Sequence, residues 1–352
     1  MDFSNPTKEE LIRALSFEGS DLEELYDHAA EVKLNHVGNK VYYRGLIEYS
    51  NRCAKNCFYC GVRRGNKHVE RYTLEDQEVI DAAKLAHQKR FGSLVLQSGE
   101  RSDRHFVQKI ADLLREIHKA TGNELHITLS MGEQSEETYR LWRECGAHRY
   151  LVRVETSNPE LYARLHPADK LHSFERRIEA LKLLRNTGYQ VGTGVMIGLP
   201  FQTLEDLAGD LMFIREMDVD MVGMGPYIEH EATPLFQYRG QLLPQTERFE
   251  LSMKMVALLR ILMPTINIAA TTAMQTLHPE GREKALRIGA NVIMPNLTPL
   301  KYREGYLLYE NKPGSHEETD VSLEKLKASI GKAGCHLALG EWGDSKHFRE
   351  RQ

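Results

Sequence analysis

Three of the chain's five cysteines fall within eight residues, in the run Cys53-Ala-Lys-Asn-Cys57-Phe-Tyr-Cys60-Gly61. Thiolates this close together bind soft metals, and zinc and iron–sulfur clusters both accept them. The number of ligands separates the two. A structural zinc site takes four protein ligands. Cys145 lies mid-chain and Cys335 near the end, so His68 is the residue that would complete a Cys3His set. A 4Fe–4S cluster held by three thiolates instead leaves one iron open to an outside ligand. An odd number of cysteines in a chain of 352 residues argues against a disulfide framework.

Such a site needs a frame, and the chain supplies an alternation of strand-like and helix-like stretches. Apolar, β-branched runs predict eight strands, over 41–49, 93–97, 125–129, 149–154, 191–197, 221–225, 267–271 and 291–295. Helical patterns lie between them, over 75–89, 104–121, 136–145, 173–187, 203–217, 246–263 and 280–288. Gly146, Gly188 and Gly289 follow helices and suit the left-handed cap position. Strands separated by helices imply parallel pairing through right-handed crossovers. Eight such units predict an α/β fold, a complete (β/α)8 TIM barrel, with an open doubly wound sheet as the alternative. The cysteine run begins just after the first strand, at the strand end where barrels carry their chemistry.

The other strand ends are polar as well. They read Gln97-Ser98-Gly99-Glu100, Ser130-Met131-Gly132-Glu133, Arg153-Val154-Glu155-Thr156, Gly192-Thr193-Gly194, Pro226-Tyr227, Thr271-Thr272 and Pro295-Asn296. Singly, each has a plain structural reading as a turn, a cap or a strand former. Their concurrence carries the weight. On the first strand, period two puts Arg44 and Glu48 on one face. Pointed into a barrel, both would be buried charges needing partners, as an internal ion pair or as substrate contacts.

The bulk numbers fit a globular enzyme: 41% hydrophobic, 27% charged, net charge −4. No basic stripe suggests nucleic acid, and no apolar run approaches the roughly 20 residues of a membrane span. The N-terminus reads as two helices over 1–35, the first capped at Asn5-Pro6-Thr7, and not as a signal peptide. A cytoplasmic protein is expected. The chain divides into an N-terminal helical segment (1–40), a barrel core (41–300) and a C-terminal extension (301–352) that packs on the barrel.

The C-x3-C-x2-C spacing, with Tyr59 before the last cysteine, resembles the signature of the radical S-adenosylmethionine (SAM) superfamily. That resemblance implies one 4Fe–4S cluster on Cys53, Cys57 and Cys60, with SAM chelating the open iron and being split reductively by an electron from an external donor. SAM would then need a carboxylate for its ammonium or sulfonium, with Glu100 and Glu155 the candidates. It would need an arginine fork for its carboxylate, with Arg177 the candidate. Small residues such as Gly192–Gly198 would let backbone approach its adenosine. Tyr59, Gln97, Ser98, Ser130 and Met196 complete the expected SAM-binding set.

Longer stretches narrow the resemblance. Tyr49–Gly61, Leu96–Glu100, Arg149–Leu151, Ser173–Glu175, Gly198–Pro200, Asp220–Gly223, Ala270–Met274 and Gly289–Asn296 are similar to the FeFe-hydrogenase maturases of the HydE type, in the biotin synthase-like branch. The resemblance implies a substrate deeper in the barrel, near Arg44, Thr271, Thr272 and Tyr302. It would be a small organometallic or amino-acid-like species, an iron–carbonyl–cyanide–cysteine precursor of the hydrogenase H-cluster. Other hydrogenase maturases are the implied partners. The sequence departs from the family at Val154, where a histidine is usual. Cys335 is the only cysteine after residue 300, so no second cluster is expected. Cys145 and Cys335 are expected to be inert helix residues. Methylornithine synthase, of the same branch, is the rival reading. A non-catalytic metal scaffold is the rival from another class.

Overall fold

A computed structural model describes residues 6–352; Asn5, part of the expected first cap, lies outside the described residues. The strands in chain order are β1 (Lys40–Ser50), β2 (Ser93–Ser98), β3 (His126–Ser130), β4 (Ala147–Leu151), β5 (Gln190–Thr193), β6 (Met196–Ile197), β7 (Met221–Val222), β8 (Gly225–Pro226), β9 (Asn267–Ile268), β10 (Val292–Ile293) and β11 (His336–Leu337). The main sheet runs β10-β1-β2-β3-β4-β5-β7-β9 and every pairing is parallel. Strands therefore follow one another around the sheet, with no reversal of order, and the last barrel strand returns beside the first. That sets aside the doubly wound alternative, which needs a switch point. The sheet is a curled parallel array under a coat of helices. β9 and β10 are linked by a single bridge, Ala269 to Val292, and by Ala270 N–H donating to the Val292 carbonyl at 2.9 Å.

Local chemistry explains the elements. β1 is nearly all buried because both of its faces are covered, which selects Val, Ile, Leu and Tyr. Helices 104–120, 136–144 and 174–186 start where Asp103, Ser135 and Ser173 accept N–H bonds from the first turn. Helices 8–15 and 204–216 start with capping boxes built on Thr7 and Thr203. Gly146 and Gly188 do adopt left-handed backbone, with φ of 100° and 81°. Gly289 does not: its φ is −162°. It is small because a Cβ there would press on Arg260 and Val256, each 3.0 Å away. Among the described residues no helix is long and apolar enough to cross a membrane.

Several strand boundaries fall short of expectation, most of them at the end that faces the site. β4 stops at Leu151, not Val154. The expected fifth and sixth strands each break in two, at Gly194-Val195 and Gly223-Met224. A Cβ on Gly194 would lie 1.9 Å from the Gly223 carbonyl, so two backbones touch where the ladder is lost. Thr271 is not a strand former; it precedes a short helix, Thr272–Leu277, that the sequence reading did not anticipate.

The C-terminal extension is more than a cover. β11 pairs with the start of β1, below the reach of β2. Residues 341–345 then enter the base of the sheet. Gly92 admits them, since a Cβ there would lie 1.6 Å from the Glu341 carbonyl. Gly343 (φ 65°) turns the segment against Tyr42. Asp344 there bonds Arg149, His126 (3.2 Å) and Gln190 (2.7 Å). Cys335 is correspondingly not a helix residue. It follows helix 319–332 and takes a hydrogen bond from buried Lys33 at 3.3 Å. Cys145 caps the end of helix 136–144.

Candidate functional site

The cysteine loop, 51–73, is held from within the fold. At the end of β1, Asn51 donates to the carbonyls of Glu70 and Gly305, both at 2.6 Å, and accepts from Tyr72 N–H at 2.8 Å. Arg71 spends its guanidinium on four carbonyls of the same loop: Asn51 and Arg63 at 2.6 Å, Val62 at 2.7 Å and Asn66 at 3.0 Å. One side chain thus fixes the curvature on which the thiols sit. Gly61 lets the segment around Leu307 close over the loop; a Cβ there would be 2.1 Å from the Leu307 carbonyl.

All three thiols are free of disulfides. Burial raises the proton affinity of each and pushes Cys57 up to about 12. Backbone N–H groups nonetheless point at sulfur: those of Lys55 and Glu100 at Cys53, the latter at 3.3 Å, and that of Val62 at Cys60. Buried thiols surrounded by N–H donors suit thiolate, and thiolate there requires a bound cation. Amide donors to sulfur are also how proteins tune iron–sulfur clusters. Among the described residues no three His, Cys, Asp or Glu side chains converge on one point, as a mononuclear zinc site requires. A cubane asks only that each thiolate reach a different iron. His68, the alternative zinc ligand, is exposed. The donor set therefore fits a cluster held by Cys53, Cys57 and Cys60.

Beside the thiols lies a buried chain of alternating charge. Lys55, inside the cysteine run, is 3.0 Å from Glu133 and 3.3 Å from Glu100. Glu133 also takes Arg177 Nε at 2.6 Å. The two carboxylates differ. Burial and the neighbouring Glu133 charge raise the proton affinity of Glu100. Burial also acts on Glu133, but Arg177 and Lys55 outweigh it and hold that carboxyl below its ordinary range. Gly132 (φ 71°) makes the approach possible, since its Cβ would lie 2.1 Å from Glu100 Oε2. Arg177 gives Nη1 to the Arg153 carbonyl, so Nη2 is the amino group left for a ligand.

On the neighbouring strand ends, Glu155 holds the left-handed φ of 69°, uncommon for a non-glycine residue. It bridges Val195, and its carboxylate is forked by Arg153 at 2.9–3.1 Å. It does not cap the next helix; Asn158 does. Tyr59 lies near Glu155, 3.4 Å from His166, and packs against the same apolar cluster as Met196. Ser98 donates to the Ser50 carbonyl at 3.2 Å, and Ser130 stands opposite Gln97 in the β2–β3 register. Cys53, Cys57, Cys60, Tyr59, Gln97, Ser98, Glu100, Ser130, Glu155, Arg177 and Met196 are therefore gathered at one end of the sheet. Val154 is fully buried in the core.

The deeper residues divide. Arg44 is buried within the sheet, beside Met221, Thr128 and Asn267, and its Nε has no partner. It forms no pair with Glu48. Glu48 instead meets Lys312 and Asn296, and Arg44 donates to the Gly343 carbonyl at 3.2 Å. Thr271 donates to the Met224 carbonyl at 3.3 Å, and Thr272 accepts from Arg282 at 2.8 Å. Tyr302 does not join them. Its ring stacks on Tyr72 and its hydroxyl donates to Glu78, on helix 76–88, at 3.0 Å. The inward tyrosines are Tyr306, bonded to Gln97, and Tyr309, beside Arg153, Arg282 and Thr276. The sequence reading also left out Lys55, Glu133, Arg153, Asn51 and Arg71. Glu133 and Arg153 stood at polar strand ends and Lys55 between two of the cysteines; nothing local marked Arg71.

Residues 47–214 match the sequence model of the radical SAM superfamily. The HydE subunit of the FeFe-hydrogenase maturase of Thermotoga maritima is 47% identical over 98% of this chain and 95% of its own. A 3-methylornithine synthase of Methanosarcina barkeri is 28% identical over 91% of this chain and 87% of its own. Among solved structures, a methylornithine synthase superposes with a TM-score of 0.81 at 26% identity, covering 95% of this chain and 94% of its own. The maturase HydG of Carboxydothermus hydrogenoformans shares the fold, with a TM-score of 0.78 at 20% identity over 95% of this chain and 76% of its own.

Proposed function

The chain belongs to the HydE family of radical SAM enzymes, and from that premise we propose that it cleaves SAM at the Cys53–Cys57–Cys60 loop and acts on a small precursor of the FeFe-hydrogenase H-cluster. The observation that carries this reading is the seating of three disulfide-free thiols, Cys57 buried and Cys53 and Cys60 half-buried and facing backbone N–H groups, beside a charge network suited to an amino acid. When bound, the cluster supplies the electron that splits SAM into methionine and a 5′-deoxyadenosyl radical. The chain's own residues do the rest. Cys53, Cys57 and Cys60 would hold such a cluster and leave it open to the amino and carboxylate groups of SAM. Arg177 offers Nη2 to that carboxylate, fixed by Glu133 so that little side-chain entropy is lost on binding. Glu155 and Glu100 face the positive groups of SAM, while Tyr59 and Met196 wall the site against water. Gln97, Ser98 and Ser130 line the approach.

The substrate lies deeper, near Arg44, Thr271 and Thr272. An unpartnered buried guanidinium N–H supports a small anionic species there, such as an iron–carbonyl–cyanide–cysteine complex. We also read the curled sheet as a complete (β/α)8 barrel. That closure rests on the Ala269–Val292 bridge and its flanking hydrogen bonds. One cluster is sufficient in this reading, since residues 301–352 hold only Cys335. The division at residues 40 and 300 is kept as a description of parts, with the extension counted as part of the barrel's base. A cytoplasmic location and cooperation with other hydrogenase maturases belong to the same proposal.

The test is an anaerobic maturation extract lacking its own HydE. Adding this chain restores hydrogen evolution by the apo-hydrogenase, and the Cys57→Ala variant does not. Formation of 3-methylornithine instead would transfer the assignment to the related synthase.

A further inference from the structure

We propose that the outer face of the cysteine loop is the docking surface for a small acidic, low-potential iron–sulfur carrier protein. This inference rests on the radical SAM reading, which requires one electron from outside. Residues 52–71 carry six cations (Arg52, Lys55, Arg63, Arg64, Lys67 and Arg71) against one acid, Glu70, in a chain whose net charge is −4. Lys55 is consumed inside, by Glu100 and Glu133. Arg71 is bonded to carbonyls, so no carboxylate neutralises it. Arg64 and Lys67 are exposed and, among the described residues, neither forms an ion pair. This is a concentrated positive field on an otherwise acidic protein, and it adjoins the thiols: Arg63 is near Cys57 and Cys60, and Arg71 near Cys53 and Cys60.

A second loop extends the surface. Asn56 N–H donates to His172 at 2.8 Å and Lys55 reaches the Leu171 carbonyl, which sets residues 170–176 against the cysteine loop. They add Lys170 and Arg176, both exposed, and Leu171, 39% exposed although large and apolar. That loop also carries Asp169 and Glu175, both exposed, so what it adds is the apolar spot and not net positive charge. Asp169 bonds His172 at 2.6 Å and Leu171 N–H at 2.8 Å, and Glu175 accepts from Ser173 at 2.5 Å. Arg176 is drawn inward to Glu133 at 3.9 Å, so the surface is an apolar spot next to Lys170, fastened to the cation-rich cysteine loop, which suits a brief, electrostatically steered encounter. No exposed aromatic side chain is interleaved with these cations, so the surface lacks the stacking platforms of a nucleic-acid site. Arg64 N–H bonds the Lys55 carbonyl at 2.9 Å, so the free charges are fastened to the strip of chain between the cluster cysteines. Seated there, the reduced carrier loses one electron and the iron–sulfur site gains it; no proton or group moves.

The test compares an Arg64→Glu/Lys67→Glu variant with a Lys327→Glu/Lys332→Glu variant of equal net charge, altered on helix 319–332 away from the loop. A reduced plant-type 2Fe–2S ferredoxin is the electron source and dithionite the small control. Ferredoxin-driven formation of 5′-deoxyadenosine falls at least about tenfold at low ionic strength in the first variant only, and the wild-type rate falls with added salt. Dithionite-driven formation stays within about twofold. Calorimetric titration of oxidised ferredoxin into the unloaded chain reads docking alone, and the affinity drops only in the first variant. Equal affinities, or equal losses in both variants, would overturn the proposal. If wild-type protein yields no 5′-deoxyadenosine even with dithionite, the radical SAM reading itself fails.

Discussion

The two ends of the curled sheet both bury charge, and they use it differently. At the C-terminal ends of the strands, Lys55, Glu100, Glu133, Arg153 and Glu155 arrive from four strand-end loops and Arg177 from helix 174–186. They pair with one another at 2.6–3.3 Å. Around them the strands have stopped early, the backbone is strained at Glu155, and three thiols stand free of disulfides. At the other end a single segment, 341–345, brings Asp344 to Arg149, His126 and Gln190 at once. Burial alone would raise the Asp344 carboxyl, but the hydrogen bond from His126 and the Arg149 charge hold it well below the usual carboxylate range. One end is a stopper made by the chain for itself. The other is a set of mutually restrained groups with coordination and hydrogen-bonding capacity to spare. Buried charge alone therefore does not mark a site; the spare capacity does.

Three changes sharpen that contrast. The largest effect on catalysis belongs to Glu133→Gln. The amide cannot balance both Lys55 and Arg177, so Arg177, which we propose takes the SAM carboxylate, loses its anchor. SAM cleavage falls about 10- to 100-fold, with weaker SAM binding by equilibrium dialysis. Retained cleavage would show the network to be only structural. At the base, Asp344→Asn removes the counter-charge of fully buried Arg149 and destabilises the fold by about 3 kcal/mol in denaturant titration. SAM cleavage per folded molecule is unchanged, and a loss there would erase the distinction between the ends.

The smallest effect concerns Asp210, on helix 204–216, which bonds the Ser157 N–H and hydroxyl just beyond Glu155. Burial raises its carboxyl to about 7. A carboxyl kept protonated by the fold contributes stability that is full below the unfolded value of 3.8 and is lost as pH rises through about 7. Asp210 therefore subtracts progressively from the melting temperature between about pH 4 and pH 7, and over that interval the wild type loses more stability than Asp210→Asn. An unchanged slope in the variant would remove Asp210 as its source.

Much of this arrangement is legible in the sequence, for reasons that differ by residue. The cysteine run announces itself because thiolate chemistry imposes local spacing. The strand order follows from alternation, since a crossover leaves parallel neighbours no other choice. Strand ends read too long because hydrophobic pattern continues through Gly194 and Gly223, where backbone contact, invisible in composition, ends the ladder. Tyr302 was misplaced for a similar reason. A short irregular stretch carries three tyrosines, and only tertiary packing decides that Tyr306 and Tyr309 turn inward while Tyr302 meets Glu78. Arg71 was invisible because its partners are carbonyls, which every residue has. Asp344 lies almost 200 residues from Arg149, and no local rule joins them.

The central claim is that the three thiols hold a cluster that opens SAM. Its most direct test is anaerobic reconstitution with iron and sulfide, followed by dithionite reduction with SAM and assay for 5′-deoxyadenosine. The account predicts about four irons per chain and 5′-deoxyadenosine from the wild type, with both lost in Cys57→Ala. Stoichiometric zinc without iron, or SAM cleavage that survives in Cys57→Ala, would contradict it.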